Sequence, residues 1–503
     1  MNTQRGFRIL LTAILVAASL SSLFFVSGCA VNPATKEREF MLVSENQEFQ
    51  MGQEVDKQVR EQMGVYAELP NLRSLVKETG ERIGQVSDRP QLIYRIEIVD
   101  ATDFNAFALP GGFVYVHRGL LERVNSTDEL ASILGHEIAH VAARHSAAQM
   151  SKAQLLNIGV LGAAIATGGA IQNYGDLINL GAALTFNKFS RDAEREADHF
   201  GTQYMIEAGY NPEASLTVMR QIQSLQDAEP STLETWFMTH PPTAERVENL
   251  TGEIEVVRSE QPEVLKRVMQ RNSFIALLDG MAVGEWNGTE LVQGDRYYNK
   301  EHLVSIPVPE EWQVQINSKG STALFGHVKK QLYAGFDIEP LQQRITTEEY
   351  YKKMDEYLRR NGLRRARRES PAPAFPHGAL SGLYYGGTGG KSFFVEGIAF
   401  VKDANGYSFI GQCKEADCNQ LQPQLESMMQ GFQFITASEA ARLEPGRMRI
   451  HTTAAGDTWD SIARKYFTSG TGAIKLAQYN GLDPTQPPPA GALVKIPPTM
   501  HFR

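Results

Sequence analysis

His136 and His140 stand four residues apart with Glu137 between them, in a stretch that runs from Ser126 through Leu130, Ile133, Leu134 and Ile138. Ser126 or Thr127 offers an N-cap, with Asp128 and Glu129 in the first turn, so a helix is expected through the pair. Four residues is about one helical turn, which sets both imidazoles on one face at a separation that reaches one tetrahedral metal ion. Glu137 lies about 100° around the helix from His136, close enough to polarise a water on such an ion without ligating it. Two imidazoles leave a site incomplete, so the fold must bring a third ligand to this helix.

A chain of 503 residues exceeds one ordinary core, and two to four domains are expected. Apolar residues at 42% and charged residues at 21% exclude both a polytopic membrane protein and a disordered one. The net charge of -9 leaves no basic footprint. The one dense basic run (Arg359, Arg360, Arg364, Arg365, Arg367, Arg368) has few interleaved aromatics and reads as a solvated helix face, so nucleic acid is not expected as a partner.

Residues 1–28 read as a signal peptide, with Arg5 and Arg8 in a basic n-region and an apolar stretch over 9–26. Val26-Ser27-Gly28-Cys29 resembles the lipobox of bacterial lipoproteins, which makes Cys29 the expected lipidation site and residues 29–44 a tether. An uncleaved membrane anchor is the alternative, since about eighteen apolar residues nearly span a bilayer. Ala30 is not the Asp associated with inner-membrane retention, which tilts the expected location to the outer membrane, facing the periplasm. In that oxidising compartment Cys413 and Cys418 are expected to close a short disulfide loop, because no neighbouring His or Cys completes a metal set.

Helical spacing covers residues 45–87 and breaks at Arg89-Pro90. Strand-like runs follow at 92–99 and 113–117, the second entered through the turn former Pro110-Gly111-Gly112, with an edge segment over 105–109. Residues 155–171 are Gly- and Ala-rich and apolar, but the stretch is short and contains Asn157, so it is expected to be a helix covered by protein rather than a membrane span. Another helix spans 190–208 and stops at Gly209 and Asn211-Pro212.

The third ligand separates the classes. Gly at 143 and His at 146 would extend the motif into a metzincin site, but Ala143 and Ser146 stand there, and His145 is out of phase and expected at the surface. Ser190-Arg191-Asp192-Ala193-Glu194-Arg195-Glu196-Ala197-Asp198 offers Glu194 as a ligand from a second helix. Asp198, one turn on, can accept a proton from a ligand imidazole and fix its orientation. The plain alternative for both is an acidic helix face.

Residues 285–437 turn strand-like around a charged helix near 347–361 and form a separate α+β module without a catalytic constellation. Residues 446–498 resemble a LysM module, the βααβ unit that binds peptidoglycan glycan, on Gly456-Asp457-Thr458, Asn480 and Ile496-Pro497 in order. The insertion over 483–489 sits where that family contacts glycan, so a packing module without ligand is the alternative.

Asn105-Ala106-Phe107, Pro110-Gly111-Gly112, the histidine helix, Glu194 with Ala197 and Asp198, and Thr239-His240-Pro241-Pro242 with Arg246 together resemble the family-48 metallopeptidases, the HtpX-like gluzincins, over roughly 40–255. The resemblance implies one Zn2+ per chain held by His136, His140 and Glu194, and Asp198 behind them. It implies Glu137, His240 and Arg246 in the catalytic machinery, with His240 near the metal and gating its open position. It also implies proteolysis of unfolded or misassembled envelope proteins, with Asn105, Ala106 and Phe107 as a substrate edge. The expected architecture is multi-domain: a mainly α (α+β) zincin protease domain over 45–275, an α+β module over 285–437 and a βααβ module over 446–498. The rivals are a zinc-dependent peptidoglycan hydrolase and a non-catalytic chaperone or scaffold held at the cell wall.

Overall fold

The computed structural model describes residues 29–152, 189–228, 236, 240, 244–286, 288–316, 322–327, 330, 332–366, 370–371, 378–388, 391–414, 417–467 and 472–498. The expected signal peptide and the apolar stretch at 155–171 lie outside them, as do the side chains of Cys29 and Cys418. Among the described residues no helix is long and apolar enough to cross a membrane. The chain divides into two compact units, Met1–Val59 with Pro70–Ile98 and Asp103–Phe274, and Arg60–Leu69 with Val99–Thr102 and Ile275–Arg503.

In the first unit the hairpin β1 (Cys29–Val31) and β2 (Arg38–Phe40) leads into α1 (Glu45–Gln62) and α2 (Pro70–Val86). Strands β3 (Arg95–Val99), β4 (Ala106–Leu109) and β5 (Phe113–His117) form a three-stranded sheet in the order β3-β5-β4. Then come α3 (Arg118–Arg123), α4 (Thr127–Ala142), α5 (Arg191–Glu207), α6 (Glu213–Ala228) and α7 (Ala244–Glu260). Between β4 and β5, Gly111 and Gly112 adopt φ of 81° and 92°, the left-handed turn that Pro110-Gly111-Gly112 predicted.

Helix α4 is not a surface helix with one wet face. Of its 16 residues only Ser132 is not buried, because α2, α5, α6 and β4 pack around it. Ser126 is its N-cap and accepts from the Glu129 backbone N–H, while the Glu129 carboxylate accepts from the Asn125 N–H. Asp128 was expected only as a first-turn charge. Its two oxygens accept the backbone N–H groups of Asn211 and Gln270, each at 2.9 Å, so the helix start is pinned to two distant loops.

Two expectations need correction here. Residues 29–44 are not a free tether: Met41 and Val43 are buried with Ala147, Ala148 and Met150, and the Ser151 hydroxyl accepts from Leu42 and Val43 N–H. Their apolar side chains cover the segment that follows α4. His145 is not a surface residue either; it is 7% exposed. After the C-cap Ala143, Arg144 turns the chain with a φ of 58°, and the helix resumed over 145–152 carries His145 back toward α4. That left-handed conformation costs about 1–3 kcal/mol for a side-chain-bearing residue. Buried contacts hold it, since the Arg144 guanidinium bonds the Glu48 carboxylate and the Val43 carbonyl.

In the second unit β6 (Glu290–Gln293), β7 (Arg296–Asn299) and β8 (Val304–Pro307) precede β9 (Trp312–Ile316), β10 (Thr322–His327) and β11 (Leu332–Pro340). Helix α8 (Thr347–Arg360), β12 (Arg364–Arg365), β13 (Leu380–Thr388), β14 (Lys391–Lys402), β15 (Asn405–Lys414), α9 (Cys418–Gln430) and β16 (Gln433–Phe434) follow. The larger sheet runs β9-β10-β11-β15-β14-β13-β12 and the smaller β16-β8-β7-β6. Phe336, Phe400, Phe409 and Phe432 fill the core on one face, while Tyr351 and Leu358 of α8 pack on Tyr384 and Val395 on the other. The predicted α+β character of 285–437 is what the structure has. Cys413 is buried and disulfide-bonded.

The last part is β17 (Arg449–Thr452), α10 (Trp459–Tyr466), α11 (Ala473–Tyr479) and β18 (Leu493–Ile496), with β17 antiparallel to β18. This is the βααβ order read from the sequence. Asn480 is fully buried and ties α11 to β18, giving to Leu476 and Lys495 carbonyls and accepting from Lys495 N–H. Just before β17, Gly446–Arg447 pairs antiparallel with Ala282–Val283.

Candidate metal centre

Helix α4 presents His136 and His140 on one face, with their Nε2 atoms 3.1 Å apart. Helix α5 crosses α4 and delivers Glu194, whose Oε2 lies 3.6 Å from His136 Nε2 and Oε1 3.5 Å from His140 Nε2. His240 closes the cluster, its Nδ1 3.2 Å from His136 Nε2 and 3.0 Å from Glu194 Oε1. All four side chains are buried, and one ligand atom from each lies within 4.8 Å of the others.

The crossing that brings Glu194 in was not legible beforehand. It depends on Gly135 and Gly201: a Cβ on Gly135 would meet the Gly201 carbonyl oxygen at 2.8 Å, and one on Gly201 the His136 backbone nitrogen at 2.8 Å. The two helix backbones touch there, two turns along α5 from Glu194. Glycines one residue before the first histidine and seven after the glutamate were the available signal.

The residues fit a metal ion on the chemistry of their donors. His136 Nδ1 is 3.0 Å from Asp198 Oδ1, and a carboxylate can only accept, so the neutral, ligating ring carries its proton on Nδ1 and leaves Nε2 bare. That bare nitrogen points at His140 Nε2, His240 Nδ1 and the Glu194 carboxylate. Buried acceptors gathered this closely need a cation among them, either a metal ion or the His240 imidazolium. A tetrahedral zinc with ligands at about 2.05 Å has donor–donor edges of about 3.3 Å, within the spread of the distances observed. Imidazoles with one carboxylate are the usual zinc donors.

Arg246 on α7 stands behind the donors. Its Nε and one terminal nitrogen each lie 2.7 Å from the Asp198 carboxylate, and Nη1 lies 2.9 Å from Glu194 Oε2. Burial alone would raise the Asp198 carboxyl, but the Arg246 charge and hydrogen bond, with His136, hold it below the ordinary value. Burial would likewise raise Glu194, yet His240, His140 and His136 together take it well below. Burial drives His140 well below the usual imidazole value, toward the neutral form that ligates.

Glu137 points to the other side of the cluster. Burial raises its carboxyl against the opposing pull of His240 and His136, and the Ala108 backbone N–H donates to it. His240 Nε2 is 3.4 Å from its Oε1. Burial would lower His240, but the carboxylates of Glu194 and Glu137 outweigh it and raise the imidazole. His240 is thus placed as a cationic donor between two carboxylates or, once deprotonated, as a further metal donor.

Ala108 lies in β4, an edge of the sheet among the described residues. The His117 N–H donates to the Asn105 carbonyl at 3.0 Å, so by antiparallel alternation Asn105, Phe107 and Leu109 spend their backbone groups on β5. Ala106 and Ala108 turn theirs to the open side, beside Glu137. Phe107 stacks on Tyr115 within the sheet, and Asn105 is 1% exposed.

Three residues of the site carried no recognised signal in the sequence. Phe189 stacks on His140, with centroids 4.1 Å apart and planes at 20°. Trp236, one turn before His240, lies 4.8 Å from its ring. His145 Nδ1 is 2.7 Å from His140 Nδ1.

Residues 70–254 match the model of Peptidase family M48, and residues 451–497 that of the LysM domain. Among similar proteins, the mitochondrial metalloendopeptidase OMA1 of Schizosaccharomyces pombe is 30% identical over 43% of this chain and 64% of its own length. The Beta-barrel assembly-enhancing protease of Yersinia pestis is 30% identical over 40% of this chain and 42% of its own. Metalloprotease LoiP of Escherichia coli (strain K12) is 32% identical over 30% of this chain and 58% of its own. The chain thus spans about half the length of the curated relatives it matches.

Proposed function

We propose that this chain, with its M48 peptidase domain over 70–254 followed by a LysM domain, is a zinc metalloendopeptidase of the bacterial envelope. The observation that carries the reading is the convergence of His136, His140 and Glu194 on one point with Glu137 beside it. When bound there, zinc supplies Lewis-acid polarisation of a water and of the scissile carbonyl.

The chain's own residues supply the rest. Glu137, whose carboxyl burial has raised, takes a proton from the attacking water and returns it to the leaving amine. Peptide hydrolysis then proceeds without a covalent intermediate on the protein. His240 moves between the donor cluster and the substrate side, so that it gates the site. Arg246 holds Glu194 and Asp198 in place and offsets their negative charge. The open side of β4 takes an extended peptide as an added strand next to Glu137, which favours unfolded segments over folded domains.

Substrates of this kind are unfolded or misassembled envelope proteins, outer-membrane proteins among them, and one relative is named for β-barrel assembly. Lipidation at Cys29 would hold the chain at the outer membrane, in the periplasm, and the LysM domain would add peptidoglycan as a partner. The test is metal analysis of the detergent-solubilised full chain together with casein cleavage, with and without a chelator. Stoichiometric zinc and chelator-sensitive cleavage support the reading; a metal-free chain that cannot be loaded overturns it. The LysM domain also favours a peptidoglycan hydrolase as the second reading, for which purified sacculi would release muropeptides.

A further inference from the structure

We infer that His145 is a positioning residue that fixes the ligating tautomer of His140, and that Glu196 fixes His145 in turn. The inference deepens the metal-site reading above and rests on it. His136 has Asp198 on its far nitrogen, but among the described residues no carboxylate is recorded at the far nitrogen of His140. There Nδ1 faces another imidazole, His145 Nδ1, at 2.7 Å. Two ring nitrogens at that distance need one proton between them, and either ring can supply it.

The far end of the line removes the ambiguity. His145 Nε2 is 3.2 Å from Glu196 Oε2, and an ionised carboxylate only accepts, so the His145 proton belongs on Nε2. The bare Nδ1 of His145 then accepts the proton of His140 Nδ1. That leaves His140 Nε2 bare, facing His136 Nε2 and Glu194. The hydrogen-bond direction runs one way, from His140 through His145 to Glu196.

The surrounding fold is built to hold this line. Arg144, at φ 58°, reverses the chain just before His145 and is locked by Glu48 and Val43. Phe189 stacks on the His140 ring. Glu196 and Asp198 flank Ala197 on α5, so one helix supplies the ligand Glu194 and the outer acceptors for both histidines. Glu196 is about one third exposed and lines a solvent-facing cleft with Arg195, His199 and Glu253.

The test compares two substitutions in the full chain. His145→Asn keeps an acceptor where Nδ1 was, and His145→Leu removes it at similar bulk. Zinc affinity is read by competition with a chromophoric chelator, and the coordination sphere by the visible absorption of the cobalt-loaded protein. His145→Leu is expected to weaken zinc by about 10–100-fold, the usual effect of losing an outer partner, and to shift the cobalt bands. His145→Asn should stay within about threefold of the parent with the parent's bands. Glu196→Ala, on the cleft side, should weaken zinc by an intermediate factor and serves if His145→Leu fails to fold by circular dichroism. Parent-like zinc affinity in both His145→Leu and Glu196→Ala overturns the inference, as does equal loss in the Leu and Asn variants. A parent chain that binds no zinc overturns the site reading itself.

Discussion

Gly135 and Gly201 meet backbone to backbone where the histidine helix crosses the glutamate helix. A Cβ on Gly201 would sit 2.9 Å from the Gly135 carbonyl carbon and 2.8 Å from the His136 nitrogen. Neither neighbour is a side chain that can turn aside, so the helices must separate to admit a methyl group. Glu194 rides on the same helix and would move with it.

Gly201→Ala should therefore lower stability by about 1–2 kcal/mol, because an overpacking cost of about 1–3 kcal/mol exceeds the gain in helix propensity. It should also weaken zinc at least tenfold. Gly252 on α7 supplies the control, having nothing within 4 Å of an added Cβ. Gly252→Ala is expected to be neutral or to stabilise by up to about 1 kcal/mol. Urea melts and chelator competition on both variants check this, and unchanged zinc affinity in Gly201→Ala would show that the close crossing does not set Glu194.

Arg246→Ala should leave Glu194 and Asp198 buried without their cation. Breaking a buried pair in this way costs about 3–5 kcal/mol, and Lys should not restore it, since one ammonium cannot bridge two carboxylates as the guanidinium does. The loss should be largest without metal and shrink when zinc is added, because the ion supplies the missing charge. Thermal melts of parent and variant with zinc and with chelator measure this, and an equal deficit in both would sink the electrostatic account.

The helices and the metal pair were legible because their signals are local. Ser126, Asp128 and Glu129 mark a helix start, and the four-residue spacing of His136 and His140 needs no tertiary information. Glu194 stood only as a candidate beside the plain alternative of an acidic helix face, and His240 came from family resemblance, because nothing within a few residues of either says what faces it. His145 was misread for a related reason: counting along a continuous helix puts it out of phase, and only the left-handed turn at Arg144 brings it to His140. Residues 29–44 looked like a tether because a short mixed segment carries no periodicity. Their burial depends on Ala147, Ala148 and Met150, more than a hundred residues away.

The link between the helices that carry Glu194 and Arg246 includes an imidazole–carboxylate pair, His199 Nδ1 with Glu253 Oε1 at 3.0 Å. The hydrogen bond to Glu253 raises the His199 imidazole above its ordinary value. A raised folded value means the pair's stability is fully present below the unfolded pKa of about 6.5 and fades as pH rises through the folded one. His199 is nearly half exposed, so the effect belongs to the range of about 0.2–1 kcal/mol for screened pairs. His199→Gln should melt lower than the zinc-loaded parent at pH 5.5 and level with it at pH 8.5. A gap that persists at the higher pH would assign the effect to packing.

His240→Ala tests the gate. The ring lies between Glu194 and Glu137, 3.0 Å and 3.4 Å away, so its removal frees one position in the donor cluster and takes a cation from beside Glu137. Zinc should still bind, because His136, His140 and Glu194 remain. Proteolysis should change both on a short model peptide and in cells. Unchanged cleavage in both settings would dismiss His240 as a gate.

Glu137→Gln separates binding from chemistry. The amide is nearly isosteric, can still accept the Ala108 N–H through its oxygen, and removes a buried carboxylate whose proton affinity burial has raised. It cannot take a proton from water near neutral pH, so turnover should fall by at least about 10²-fold, the lower range for losing a general base. Zinc content should remain stoichiometric, because Glu137 is not among the donors that converge on the metal point. An extended peptide should still be retained along β4, where the glutamine oxygen keeps the Ala108 contact. Casein cleavage measured beside metal analysis distinguishes the cases: activity near the parent's removes Glu137 as the base, whereas joint loss of zinc and activity makes it part of the metal's support.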